Sequence, residues 1–115
     1  MKAILSFLLV AFLAAPLLLA QDTSPVEAKF KAYGNCGMCK KRIEKAVSIT
    51  EVKSAKWDKS TKMLTVAYLP ATITLDSLQH RVAAVGHDTD RFKAPDSVYA
   101  SLPSCCLYRS AGSPH

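Results

Sequence analysis

The apolar residues of this chain follow two different periods, and the period changes several times between residues 27 and 93. Stretches in which apolar and polar residues alternate one by one predict half-buried strands, whereas apolar residues spaced three or four apart predict amphipathic helices. The predicted strands are 27–33, 53–59, 62–68 and 87–93, and the predicted helices are 39–49 and 75–85.

Turn and capping residues separate these segments. Gly34-Asn35 interrupts the first strand, and residues 58–61 form a polar turn that joins the second and third strands as a hairpin. Thr74 is a suitable N-cap for the second helix, and Gly86 is suited to end it.

The resulting order, β-α-β-β-α-β over residues 27–94, is the split βαβ or ferredoxin-like arrangement. It predicts an α+β sandwich in which two helices cover one face of an antiparallel four-stranded sheet. Residues 95–115 follow as a tail, in which a short helix is expected at 97–102, before Cys105 and Cys106.

A long apolar run precedes this domain. Residues 1–20 begin with Met1-Lys2 and are then almost wholly apolar, and residues 21–26 form a polar linker. This is the layout of a secretory signal peptide cut after Ala20, so we expect export and, in a bacterium with two membranes, a periplasmic location. The alternative is a retained membrane anchor, but Pro16 interrupts a run of marginal length for a span of about 20 residues.

The charge balance of the chain narrows the class of partner. The formal net charge is +6, and removal of residues 1–20 leaves +5 on 95 residues. This excess favours an acidic partner protein or an anionic membrane face. Nucleic acid is not expected, because an exported chain rarely meets it and the basic residues are not interleaved with aromatic ones. No stable membrane insertion is expected after cleavage.

The motif Cys36-Gly37-Met38-Cys39 stands where the first strand gives way to the first helix. Cys36 and Cys39 can face one metal ion, since the amides and dipole of a helix N-terminus favour negative charge there. Soft sulfur ligands select Cu(I), Hg(II), Cd(II) or Zn(II), and two thiolates alone suit Cu(I) and Hg(II), because zinc takes four ligands. Thiol–disulfide exchange and an inert disulfide are the alternatives.

Three basic residues follow the motif directly: Lys40, Lys41 and Arg42. Their charges favour the thiolate over the thiol at the neighbouring cysteines. They form either a solvated helix face or a docking surface for an acidic partner, and the sequence leaves both interpretations open.

Two further sites are candidates for contact with the cysteine loop. His87 follows the second helix. The sequence allows three interpretations of it: a third metal ligand, a hydrogen-bond partner of a cysteine sulfur, or an exposed turn residue. Three interpretations are also open for Cys105 and Cys106. They complete the Cys36–Cys39 site, they bind a separate ion or bridge two copies of the chain, or they form a disulfide.

The βαββαβ order with G-x-C-x-x-C in the first loop resembles the heavy-metal-associated domain over roughly residues 27–94. That family includes copper chaperones, N-terminal domains of copper-transporting ATPases and periplasmic mercury-binding proteins. Its usual loop is G-M-T-C-x-x-C, whereas Tyr33-Gly34-Asn35 here lacks the Met and places the glycine one position nearer the cysteine. The segment CGMCKKRIEKAV and the tail LPSCCLYR resemble exported members from Bacteroidetes-type bacteria.

The resemblance implies an exported Cu(I) metallochaperone or buffer that exchanges its ion through the thiolates of Cys36 and Cys39. The implied partner is a metal donor or acceptor, such as a copper-transporting ATPase or exporter, and the implied function is binding rather than catalysis. A mercury, cadmium or zinc scavenger would use the same ligands and stays an alternative, as does thiol–disulfide exchange. The tail cysteines also allow a dimer bridged by a metal ion or a disulfide.

Overall fold

The computed structural model describes residues 24–109, and the predicted signal peptide lies outside them. No helix within this part of the chain is both long and apolar enough to cross a membrane. The elements are β1 (Val26–Lys31), α1 (Gly37–Ala46), β2 (Val52–Trp57), β3 (Met63–Tyr68), α2 (Leu75–Ala84), α3 (Asp96–Ala100) and a 3-10 turn at Ser104–Cys106.

The three strands form one antiparallel sheet in the order β1-β3-β2. Phe30 of β1 and Trp57 of β2 both pair with Leu64 of the central strand, and all three side chains are buried. Residues at every second position along a strand point to the same face, so this register places the large apolar side chains on one face. The ferredoxin-like fold class predicted from the periodicity is therefore confirmed.

The fourth strand, predicted at 87–93, is reduced to a single antiparallel bridge between Ala32 and Thr89 among the described residues. The backbone amide of Thr89 donates to the carbonyl oxygen of Phe92, and the amide of Phe92 donates to the Thr89 hydroxyl. This segment therefore turns back on itself, and its amides are not available for a longer ladder with β1.

Both long helices begin with an extended residue and bury one face. The Thr74 hydroxyl accepts a hydrogen bond from the amide of Ser77, as expected of an N-cap, and it satisfies one of the open donors of α2. Gly86 follows α2 with a φ of +113°, and a Cβ there would lie 2.8 Å from the Leu102 side chain. A glycine is required at this position by both its left-handed backbone and the packing of the tail.

The tail packs on the domain instead of extending from it. The Tyr108 hydroxyl donates to the carbonyl oxygen of Gly86 at 2.7 Å and accepts from the amide of Asp88 at 2.7 Å. The Tyr108 ring also stacks on that of His87, and its side chain is buried. A buried phenol is tolerated because its hydroxyl has partners, and here those partners fix the tail to the segment after α2.

Arg109 adds an ion pair at the same place. Its Nη2 lies 2.6 Å from Asp88 Oδ1, and its Nε lies 3.1 Å from Asp88 Oδ2, so the contact is bidentate. The guanidinium also donates to the carbonyl oxygen of Ala94 and lies 4.3 Å from the ring centroid of Tyr99. The Asp88 side chain is only 4% exposed, so this pair is shielded from water.

We expect Arg109→Ala to lower the free energy of unfolding by about 3–5 kcal/mol, because it leaves the buried carboxylate of Asp88 without its cation. The control is Arg91→Ala, which removes a second arginine–aspartate pair that is exposed, and which is expected to cost about 1 kcal/mol or less. Urea unfolding of the reduced, metal-free variants measures both. Equal losses of unfolding free energy in the two variants would contradict the conclusion that the Asp88–Arg109 pair is shielded from water.

Candidate metal centre

The cysteine loop places two sulfur atoms at the start of α1. Cys36 is the extended residue before the helix, and Cys39 lies in its first turn, because α1 begins at Gly37, two positions before the start expected from the sequence. Their Sγ atoms are 3.3 Å apart, and the amide of Asn35 donates to the Cys39 sulfur at 3.4 Å. Both sulfurs thus lie where the helix N-terminus favours negative charge.

Gly34 permits this arrangement by leaving room beside the backbone. A Cβ at Gly34 would lie 2.8 Å from the Cβ of Cys39 and 3.3 Å from the ring of Trp57. The indole of Trp57 is held in turn by a hydrogen bond of 2.8 Å to the carbonyl oxygen of Ala32. The loop, the buried cysteine and the tryptophan therefore pack against each other only without a side chain at this position.

The tail brings its own cysteines to the loop. The Sγ of Cys106 lies 3.4 Å from that of Cys36, and the Sγ atoms of Cys36, Cys39 and Cys106 all lie within 4.8 Å of one another. Cys105 is exposed, and its sulfur touches that of Cys36 at 2.9 Å and that of Cys106 at 3.9 Å. All four thiols are free. Of the three interpretations of the tail pair, the geometry matches a site shared with the loop.

The inner part of this cluster is shielded from solvent. Cys39 and Cys106 are both 0% exposed, and Cys36 is partly exposed at the edge. Met38 points outward with 51% of its surface exposed, although its Sδ lies 3.7 Å from the Cys105 sulfur. An ion bound between the three inner sulfurs would therefore lie beneath the tail rather than on an open loop.

The basic residues after the motif have separate positions. Arg42 reaches the cluster, because its Nη1 donates to the Cys106 sulfur at 3.4 Å. Lys40 is bound to Glu44 and to the carbonyl oxygen of Trp57, each at 2.8 Å. Lys41 is exposed. Arg42 thus supplies positive charge to the sulfurs, and docking of a partner by the three residues stays a prediction.

The Cys36 thiol loses its proton more readily than an ordinary cysteine. Burial alone would raise the pKa of Cys36, but hydrogen bonding with Cys105, with the backbone of Cys39 and with the other two thiols brings it down to about 6. Burial and hydrogen bonds to Cys39 and Cys36 raise the pKa of Cys106, and the contact with Cys36 raises the pKa of Cys105. Cys36 is therefore the thiolate of the metal-free cluster at neutral pH.

His87 is not the exposed turn residue that one interpretation of the sequence suggested. It is 0% exposed, and its Nδ1 donates to the carbonyl oxygen of Tyr33 at 2.7 Å, which leaves a lone pair on Nε2. That Nε2 is buried with no hydrogen-bond partner among the described residues, and it is not within the group of three mutually close sulfurs. Burial lowers the pKa of His87 to about 4, so the ring is neutral at physiological pH.

Sequence reasoning did not identify Tyr108 and Arg109 as the residues that position the tail cysteines. Their partners, Gly86 and Asp88, are about twenty positions earlier in the chain and show no periodic relation to them. The available signal was the presence of a tyrosine and an arginine two and three positions after Cys106, since a buried tyrosine hydroxyl seeks a hydrogen-bond partner and an arginine can pair with a carboxylate through two hydrogen bonds.

The solved structures that resemble this chain are copper-handling proteins. CopZ metallochaperone aligns with a TM-score of 0.53 and 23% identity, covering 56% of this chain and 98% of CopZ. The N-terminal domain of a potential copper-translocating P-type ATPase from Bacillus subtilis, in its Cu(I)-loaded state, aligns with a TM-score of 0.54 and 28% identity, covering 64% of this chain and 95% of that domain. No family model and no curated protein matches the chain.

These neighbours confirm the resemblance to heavy-metal-associated domains at the level of the fold and of the kind of protein that shares it. The aligned structures are covered almost completely, whereas 56% and 64% of this chain are used in the two alignments. The similarity to exported Bacteroidetes-type members stays a prediction.

We expect Gly34→Ala to destabilise the loop by about 1–3 kcal/mol, because the added methyl group overlaps Cys39 and presses on Trp57. Gly37→Ala is the matched control three positions along the same loop, since a Cβ there meets nothing within 4 Å. Urea unfolding under reducing conditions measures the difference. A loss at Gly37 equal to that at Gly34 would contradict the close-approach argument.

We also expect iodoacetamide to modify Cys36 of the reduced, metal-free protein at a rate that rises through a midpoint near pH 6, because the thiolate is the nucleophile. Cys105→Ala should shift this midpoint upward, since it removes the strongest of the contacts that favour the Cys36 thiolate. Peptide mapping after timed alkylation measures the rates. An unchanged midpoint in the variant would show that Cys105 does not stabilise the thiolate.

Proposed function

We propose that this protein is an exported carrier or buffer of Cu(I), which it receives and releases as cargo by thiolate exchange. The observation that supports this most directly is the pair of sulfurs of Cys36 and Cys39, 3.3 Å apart at a helix N-terminus. The fold that holds them is the one found in a copper metallochaperone and in a domain of a copper-translocating ATPase.

The chemistry of the donor set favours a soft monovalent ion. Thiolates select Cu(I) over hard cations, and Cu(I) accepts two or three sulfur ligands where zinc would require four. The solved neighbour with 28% identity was itself determined with Cu(I) bound, which supports the same ion here. Hg(II), Cd(II) and Zn(II) would meet the same sulfurs and stay as alternative cargoes.

Transfer requires a partner that presents its own soft ligands. We propose that a copper-transporting ATPase or exporter, or an upstream donor, exchanges the ion with this protein across a transient interface. Lys41 is exposed beside the loop and Lys40 is partly exposed, so an acidic surface on that partner would be favoured. An incoming thiolate binds the ion before an old one leaves, so no catalytic residue is needed and we propose no enzymatic activity.

Export is part of the proposal because residues 1–20 have the layout of a signal peptide. In a bacterium with two membranes the cleaved protein would act in the periplasm. An oxidising compartment also makes thiol–disulfide exchange the second candidate function, because a cysteine with a pKa of about 6 lies next to three other thiols.

An anaerobic Cu(I) titration of the exported, reduced protein against a chromophoric chelator tests the proposal. We expect one ion to bind tightly and Cys36→Ser/Cys39→Ser to abolish that binding, because it removes both loop ligands. The intact mass of the same preparation shows whether the chain is cut after Ala20. Arg91→Ala, far from the sulfurs in an exposed ion pair, is the control and should bind as the unmodified protein does.

Failure of the unmodified protein to compete with a weak chelator would contradict the Cu(I) proposal. Reduction of insulin disulfides by the metal-free protein, lost in the same double variant, would then favour thiol–disulfide exchange. Tight binding without insulin reduction supports the carrier.

A further inference from the structure

The tail places the sulfur of Cys106 beside the metal loop, directed into the site. Cys106 is 0% exposed, and its Sγ lies 3.4 Å from that of Cys36 and within 4.8 Å of that of Cys39. We infer that Cys106 supplies a third thiolate to the ion held by Cys36 and Cys39, so that the site is a shielded three-sulfur site. This inference rests on the proposed function, since it concerns the same cargo.

The spacing of the sulfurs suits three ligands better than two. With a metal–sulfur bond of about 2.3 Å, a trigonal site needs sulfurs about 4.0 Å apart and a linear site needs about 4.6 Å. The Cys36 sulfur lies 3.3 Å from that of Cys39 and 3.4 Å from that of Cys106. The sulfurs therefore need to move apart by only about half as much to reach trigonal geometry as to reach linear geometry.

The surroundings of Cys106 favour a thiolate on a bound ion. Three thiolates and one Cu(I) carry a net charge of −2, and burying that charge without compensation would be costly. The guanidinium of Arg42 donates to the Cys106 sulfur at 3.4 Å, and the N-terminus of α1 lies beneath the other two sulfurs. These two sources of positive charge lie on the cluster itself, where they offset the excess.

The position of Cys106 is fixed before any ion arrives. Tyr108, two residues later, is bonded to Gly86 and to the amide of Asp88, and Arg109 is paired with the buried carboxylate of Asp88. The 3-10 turn at Ser104–Cys106 is thus anchored directly after its last residue. A preorganised ligand costs little conformational entropy on binding, so the third thiolate strengthens retention of the ion.

The tail therefore favours buffering over rapid transfer. With Cys39 and Cys106 both shielded, a partner thiolate can approach only from the side of Cys36 and the exposed Cys105. Release to a partner would require either attack at that edge or displacement of the tail from the loop.

The test is X-ray absorption spectroscopy of the full exported protein loaded with one Cu(I), which counts sulfur neighbours without any substitution. We expect three sulfurs in the unmodified protein, two in Cys106→Ser and three in Cys105→Ser, which is the matched neighbour outside the inner group. Mutating a residue that only hydrogen-bonds to a metal ligand typically lowers metal affinity about 10–100-fold. Loss of a ligand itself should cost at least as much, so we expect Cys106→Ser to weaken Cu(I) binding by at least about tenfold. Cys105→Ser should weaken it less.

Each outcome separates this inference from the proposed function. Three sulfurs falling to two only in Cys106→Ser supports the three-sulfur site. Tight Cu(I) binding with two sulfurs in the unmodified protein overturns the inference and leaves the carrier function intact. Loss of one sulfur neighbour in Cys105→Ser, with none lost in Cys106→Ser, has the same consequence. Absence of Cu(I) binding overturns both. A far-UV circular dichroism spectrum of Cys106→Ser that matches the unmodified protein shows that its loss of a ligand is not a loss of fold.

Discussion

Arg109 and Asp88 form the ion pair that joins the end of the described chain to the segment after α2. The pair is bidentate and nearly removed from water, and it is reinforced by the hydroxyl of Tyr108 and by the ring of Tyr99. A buried pair of this kind contributes little net stability compared with apolar packing, but removal of one partner is costly. Its effect is therefore to fix one position of the tail, and with it the position of the tail sulfurs.

The same segment explains why the sheet has three strands among the described residues. Antiparallel pairing would direct every second amide of this segment toward β1, but the Asp88 amide bonds to the Tyr108 hydroxyl and the Phe92 amide bonds to the Thr89 hydroxyl. One bridge to Ala32 remains. One of the groups that would have extended the sheet, the Asp88 amide, holds the tail instead, and the others bond within the turn at 89–92.

Charge at the metal centre is arranged so that the metal-free cluster is not heavily charged. One thiolate forms readily at Cys36, while burial and mutual contacts keep Cys105 and Cys106 protonated. A soft ion must displace the proton of Cys106 to bind that sulfur, so its affinity depends on pH and on how well the tail is held. Arg42 lies where the additional negative charge would develop, which couples the first helix to the tail through one contact.

The sequence by itself determined the strands β1 to β3, the two long helices and the pairing of Cys36 with Cys39, because each depends on residues a few positions apart. Alternation, helical spacing and the C-x-x-C interval are local patterns, and the structure reproduces their elements within a few residues. Three features were decided by the tertiary structure alone: the burial of His87, the loss of the fourth strand and the contact between Cys36 and Cys106, which are 70 positions apart. Each results from side chains that meet only after folding, and no local period records which distant donor will satisfy a buried acceptor.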